Sequence, residues 1–158
     1  MSGHVRKTRM SRRITRGFSP EALRKARLDA DLTRGELARL AHVSVGSVQA
    51  WETGRAAPQI DSLVKVLDVL EIKITDVVLI EPSDRYLGDL RVLRGLTQTE
   101  LAKRLGISTT TLSQIELGHT LSLRESVAID LARELGVSHD EINRVFRKTQ
   151  DRPRETRL

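Results

Sequence analysis

The chain has no cysteine, which excludes a disulfide framework, a thiolate nucleophile and a cysteine-ligated metal. Its stability has to come from packing. No apolar run approaches the length of a membrane span, and the basic N-terminus is not followed by the apolar segment that a secretory signal needs. No membrane association is expected, and a cytoplasmic location is. Catalytic signatures are missing as well: His4, His42, His119 and His139 are scattered, and neither an HExxH motif nor a phosphate-binding glycine loop occurs. No enzyme activity, metal or cofactor is expected. Strand-like alternation is lacking too, apart from residues 77–80, which are expected to pack on the other half of the chain.

Charge is present in quantity and unevenly placed. The formal net charge is +6, yet residues 1–18 alone carry Arg6, Lys7, Arg9, Arg12, Arg13 and Arg16 with no acid. Residues 144–158 add a further +4, so the body between the two ends is at −4. Basic ends on a mildly acidic body suggest tails that seek a polyanion.

The body is a repeat. The stretch SVGSVQAWETG at 44–54 returns as STTTLSQIELG at 108–118, with Ser44, Glu52 and Gly54 kept and most letters between them changed. At the same offset of 64, Leu23, Arg27, Leu32, Thr33, Glu36, Leu37 and Ala38 fall on Leu87, Arg91, Leu96, Thr97, Glu100, Leu101 and Ala102. One inserted residue later, Leu63, Val66, Leu67 and Leu70 fall on Ala128, Leu131, Ala132 and Leu135. This is duplication with drift. It divides the chain into a basic arm (1–18), a first domain (19–81), a second domain (82–147) and a basic tail (148–158).

The punctuation within each copy predicts helices. Ser19 and Pro20 open a first helix over 20–30. Thr33 with Glu36, and Thr97 with Glu100, are capping boxes that open a second helix, turned inward by Leu37, Leu40 and Ala41 in the first copy. Ser44 and Ser108 cap a third, which stops at Gly54 and Gly118. The series Leu63, Val66, Leu67 and Leu70 gives a fourth, and a short fifth is expected over 75–79. The fold class is therefore all-α, as two tandem bundles each containing helix, tight turn, helix.

The pattern LTxxELA…VSxxxVxxWExG, at 32–38 and 43–54, and its second form LTQTELAKRLGISTTTLSQIELG, resemble the helix-turn-helix domain of the lambda-repressor/Cro family, also named the XRE family. The resemblance implies two five-helix bundles whose third helices enter the major groove of double-stranded DNA. It explains why the frame is repeated and its contents rewritten. One face of each third helix packs on its domain while the other is free to differ. The outward set is Val45, Gly46, Ser47, Gln49 and Ala50 in the first copy, and Thr109, Thr110, Thr111, Ser113 and Gln114 in the second; Val48, Trp51, Leu112 and Ile115 face inward. Gln pairs bidentately with adenine and Thr bonds base edges or packs on thymine, whereas Val45 offers apolar contact only.

The family also implies a Gln at the start of the second helix that braces the recognition helix and touches phosphate. Gln98 matches it. The first copy has Arg34, which keeps the phosphate contact and loses the Gln-to-Gln brace. Arg55 is placed for a further phosphate, with His119 as its counterpart, and Lys103 and Arg104 lie towards the same side. Arg27 with Glu52, and Arg91 with Glu116, match positions that the family pairs as ions. His42 stands where the turn favours the glycine that Gly106 supplies.

These residues imply a sequence-specific transcriptional regulator, a repressor of bacterial or phage-like type, with two unlike reading helices and an arm that follows the DNA backbone or a minor groove. RNA polymerase or another regulator is the expected second partner. The chain would act as a monomer or homodimer in the cytoplasm of a bacterial or phage-infected cell, on the nucleoid when bound. A second reading of the same fold is a protein-interaction module, an antitoxin or antiactivator. It is kept open because neither bundle is basic overall.

Overall fold

The structure is a computed structural model that describes residues 16–153. Among these the ordered elements are nine α-helices and two single 3-10 turns, with no strand longer than one isolated bridge. The first bundle holds α1 (Pro20–Asp29), α2 (Arg34–Ala41), α3 (Val45–Glu52) and α4 (Ile60–Leu70). The second holds α5 (Leu87–Leu93), α6 (Gln98–Leu105), α7 (Thr109–Glu116), α8 (Glu125–Leu135) and α9 (His139–Gln150).

Local chemistry sets these boundaries. Ser19 accepts from the Ala22 amide with Pro20 in the first turn of α1. Both capping boxes form in full, Thr33 with Glu36 at α2 and Thr97 with Glu100 at α6. Ser44 and Ser108 accept from the amides three residues on, which opens α3 and α7 identically. Each such cap satisfies a helix-end amide that would otherwise need water.

Two separate cores result. The first gathers Leu23, Leu37, Val48, Trp51, Leu63 and Val66, and the second Leu87, Leu101, Leu112, Leu131, Ile142 and Val145. Residues paired by the repeat occupy equivalent seats, so the duplication in sequence is a duplication in packing.

Four expectations are corrected. The short fifth helix over 75–79 is a 3-10 turn at Ile74–Asp76, after which the chain extends. Val77 and Val78 are both buried, and their backbone is committed to the segment Gly17–Ser19. The chain is held extended there because the Ser19 amide donates to Val77 O, the Leu79 amide donates to Gly17 O, and Phe18 bridges Val78. For the same reason residues 77–80 pack in the first core, where Val77, Val78 and Ile80 belong, and not on the other half of the chain.

Leu40 is 44% exposed, because Leu37, Ala38 and Ala41 already fill the inward face of α2. Finally, α9 continues through Lys148 and Thr149 to Gln150, into the stretch expected as tail. Thr149 is buried there and accepts from the Leu87 amide, so α9 closes against the start of α5.

The bundles also touch. Val92 and Leu93 of α5 pack against the first core. Arg85 donates to Ile80 O, and Lys148 Nζ to Ser83 O, across the 3-10 turn Pro82–Asp84.

Candidate nucleic-acid interface

Each copy builds its outward helix on an ion pair whose glutamate is buried. Arg27 reaches Glu52 through two hydrogen bonds, Nε to Oε2 at 2.7 Å and Nη2 to Oε1 at 2.8 Å, and spends Nη1 on Leu32 O at 2.7 Å. Arg91 does the same with Glu116, at 2.6 and 3.1 Å, and with Leu96 O at 2.7 Å. One guanidinium thus ties the first helix, the loop before the second and the end of the third. The bidentate geometry fixes orientation as well as distance.

A third partner closes each cluster. Arg34 Nε donates to Glu52 Oε1 at 3.2 Å, and Gln98 Nε2 donates to Glu116 Oε2 at 2.9 Å. The brace expected between two glutamines is therefore a brace onto the glutamate, and Arg34 takes the seat of Gln98 without losing it. Burial alone would push the Glu52 carboxyl up, but the hydrogen bonds and charges of Arg27 and Arg34 outweigh burial and hold it below its usual range. The Arg27 guanidinium is raised, chiefly by its bond to Glu52.

The outward residues stand on this frame. Val48 and Trp51 are buried beneath α3, and Leu112 and Ile115 beneath α7. In the first copy Val45, at 52% exposure, Gly46 and Gln49 face solvent, with Ser47 and Ala50 half-buried. In the second, Thr110, Thr111 and Gln114 face solvent, and Thr109 and Ser113 are half-buried.

Some hydroxyls are already engaged. Ser47 and Ser44 share a hydrogen bond at 2.8 Å, as do Thr111 and Ser108, which leaves Thr109 and Thr110 as the free hydroxyls at the start of α7. Gln114 Oε1 lies 3.1 Å from His119 Nδ1. Arg55 is exposed just past Gly54, and so is Lys103, whereas Arg104 pairs with Glu134 at 3.3 Å.

Of the basic arm, only Arg16 falls within the described residues; Arg6, Lys7, Arg9, Arg12 and Arg13 lie outside them. Arg16 does not point outward as an arm residue would. Its Nη1 bonds Asp89 Oδ2, and its guanidinium sits 4.8 Å from the centroid of the Tyr86 ring. Lys148 and Arg152 approach the same ring, at 4.9 and 4.5 Å. Nothing in the local sequence marks Arg16, Asp89 and Tyr86 as neighbours, since the contact spans two domains. The pairing of His119 with Gln114 had a signal: two polar residues five apart around a helix stop.

Among the described residues no group of three or more His, Cys, Asp or Glu side chains could hold a metal, and no helix is long and apolar enough to cross a membrane. A family profile described as helix-turn-helix matches residues 23–77 and again residues 87–142. No curated protein matches the chain.

Proposed function

The chain belongs to the helix-turn-helix family of XRE type in both of its halves, and from that premise we propose that it is a sequence-specific transcriptional repressor with two unlike reading heads. Its family is one of DNA-binding regulators, and the reading adds which residues touch what. The observation that carries it is the repeated frame. In both copies an Arg–Glu pair with a buried glutamate and a serine cap hold an eight-residue helix, with Val45 and Gly46, or Thr110 and Thr111, exposed in its first turn.

A helix held this way presents its N-terminal residues to base edges in a major groove. In the second head Thr109, Thr110 and Gln114 supply directional contacts, and Thr111 and Ser113 flank them. The first head offers Val45 for apolar contact with a thymine methyl and the exposed amide of Gln49 for hydrogen bonding, with Gly46 and Ser47 beside them. Arg55 and Gln98 approach phosphates, as does Arg34, whose bond to Glu52 leaves its other nitrogens free. Residues 1–15 supply sequence-independent attraction, and RNA polymerase or a second regulator is the target excluded or recruited.

Two unlike heads in one chain call for unlike half-sites. The test is selection of bound duplexes from a randomised pool with the purified chain, followed by footprinting. An asymmetric site with two protected major-groove segments is expected. Selection that enriches no sequence, with binding that does not weaken in salt, would favour the protein-interaction reading instead.

A further inference from the structure

We propose that His119 is a positioning residue that fixes the amide of Gln114, so that the second head takes adenine over guanine at one base pair. The inference rests on the reading of α7 as a base-contacting helix. Gln114 is exposed on the last turns of α7, and His119 is exposed just past the Gly118 stop. They are joined by the hydrogen bond between Nδ1 and Oε1 at 3.1 Å. The backbone holds the same geometry, since the His119 amide donates to Gln114 O at 3.0 Å.

A glutamine amide can present its oxygen and its nitrogen in either order, and the order decides which base it fits. Adenine shows a donor at N6 and an acceptor at N7, so it needs one oxygen and one N–H in a set sequence. Guanine shows two acceptors, O6 and N7, and suits an amide turned to donate. With a proton on Nδ1, His119 donates into Oε1 and forbids the turned form. The second lone pair of Oε1 and the Nε2 hydrogens then remain for the base. Against guanine that oxygen would meet O6, acceptor against acceptor.

The pair requires the proton on Nδ1, which one neutral tautomer and the imidazolium carry; the other neutral tautomer would accept at Nδ1 and turn the amide round. The first copy cannot do this. Its equivalent positions are Ala50 and Arg55, with no amide to orient. The pair therefore makes the two heads chemically different at the same depth of the helix.

The experiment uses the full chain and its selected duplex, with each A·T pair replaced in turn by G·C. Gln114→Ala identifies the base pair that Gln114 contacts, as the one where discrimination disappears. At that pair the wild type should prefer adenine by about 5- to 150-fold, the range of a good bidentate contact. His119→Ala should collapse the preference towards unity, and His119→Gln, which can still donate an N–H, should restore part of it. The ratio of two affinities within one variant does not depend on the folded fraction.

A preference that survives His119→Ala at the pair which Gln114→Ala erases overturns the inference and leaves the reading of α7 intact. An equal loss on both duplexes overturns it as well, since His119 would then touch phosphate only. If Gln114→Ala erases discrimination nowhere, the base-reading role of Gln114 fails, and this inference fails with it.

Discussion

Arg16 and Asp89 stand on opposite sides of the repeat, seventy-three positions apart, and are joined by a hydrogen bond of 2.5 Å. Asp89 is buried and also accepts from the Tyr86 amide at 2.8 Å, where it caps the start of α5. Arg16 is 38% exposed. The pair thus links the end of the basic arm to the second bundle, but its two members are not equally committed.

Their substitution should therefore be asymmetric. Asp89→Ala removes a helix cap together with the partner of Arg16, and should destabilise the protein by about 1–2 kcal/mol, as removal of a cap commonly does. Arg16→Ala removes the half-exposed member and leaves Asp89 its bond from the Tyr86 amide, so it should cost less, about 1 kcal/mol. Denaturant melts of the two variants against wild type check the order.

Glu52 gives a second, pH-dependent case. Glu52→Gln leaves Arg27 buried without its counter-ion, and removing one member of a buried pair costs about 3–5 kcal/mol. The folded carboxyl titrates below its usual range because Arg27 and Arg34 outweigh burial. A depressed folded value means that the stabilisation is complete above the unfolded carboxyl's range, near about pH 4.3, and is lost as pH falls through the folded value. The gap in stability between wild type and Glu52→Gln should be largest near neutrality and narrow on acidification. Melts of both proteins from pH 7 to pH 3 measure it.

The two copies differ in how they end their helices. His42 closes α2 at φ 54°, and Glu71 closes α4 at φ 54°, whereas the second copy puts Gly106 and Gly136 at the equivalent stops. A side chain in this left-handed region costs roughly 1–2 kcal/mol, partly offset by the greater freedom glycine has when unfolded, about 0.4–1 kcal/mol. Both residues are exposed, so they contribute little packing. His42→Gly and Glu71→Gly should each raise stability, by up to about 1 kcal/mol. A thermal melt showing either to be destabilising would contradict this.

Much of this architecture can be read in advance because it is local. Capping boxes, serine caps and the apolar spacing act within four residues, and they locate α1 to α4 and α6 to α8 without reference to anything distant. The arginine partners of Glu52 and Glu116 were legible for a different reason, as the repeat preserved both members of each pair. What sequence patterns could not supply is contact between elements with no shared periodicity. Phe18 pairing with Val78 turned an expected helix into an extended segment. Thr149 reaching Leu87 extended α9 into an expected tail, and Asp89 withdrew Arg16 from the arm. Exposure of Leu40 belongs to the same class, because whether a position on the rim of a stripe is covered depends on which neighbour arrives.

Holding and reading should separate experimentally. Arg16, Gly17 and Phe18 are built into the fold, so deleting 1–15 removes Arg6, Lys7, Arg9, Arg12 and Arg13 without touching the Phe18 bridge. Affinity should then fall for every duplex. The slope of log affinity against log salt should become shallower by about 0.9 for each phosphate that the arm no longer neutralises. Sequence preference should survive, because phosphate contacts carry none. Joint replacement of Thr109 and Thr110 by alanine should do the opposite, costing about 1–3 kcal/mol for each base contact at particular base pairs and leaving the salt slope unchanged. Val45→Ala should alter at most a preference for thymine. Titrations of each variant over several salt concentrations, on the selected site and on a scrambled one, decide the matter. Should the deletion abolish discrimination while the threonine replacements leave it whole, α7 is scaffold and residues 1–15 are the reader.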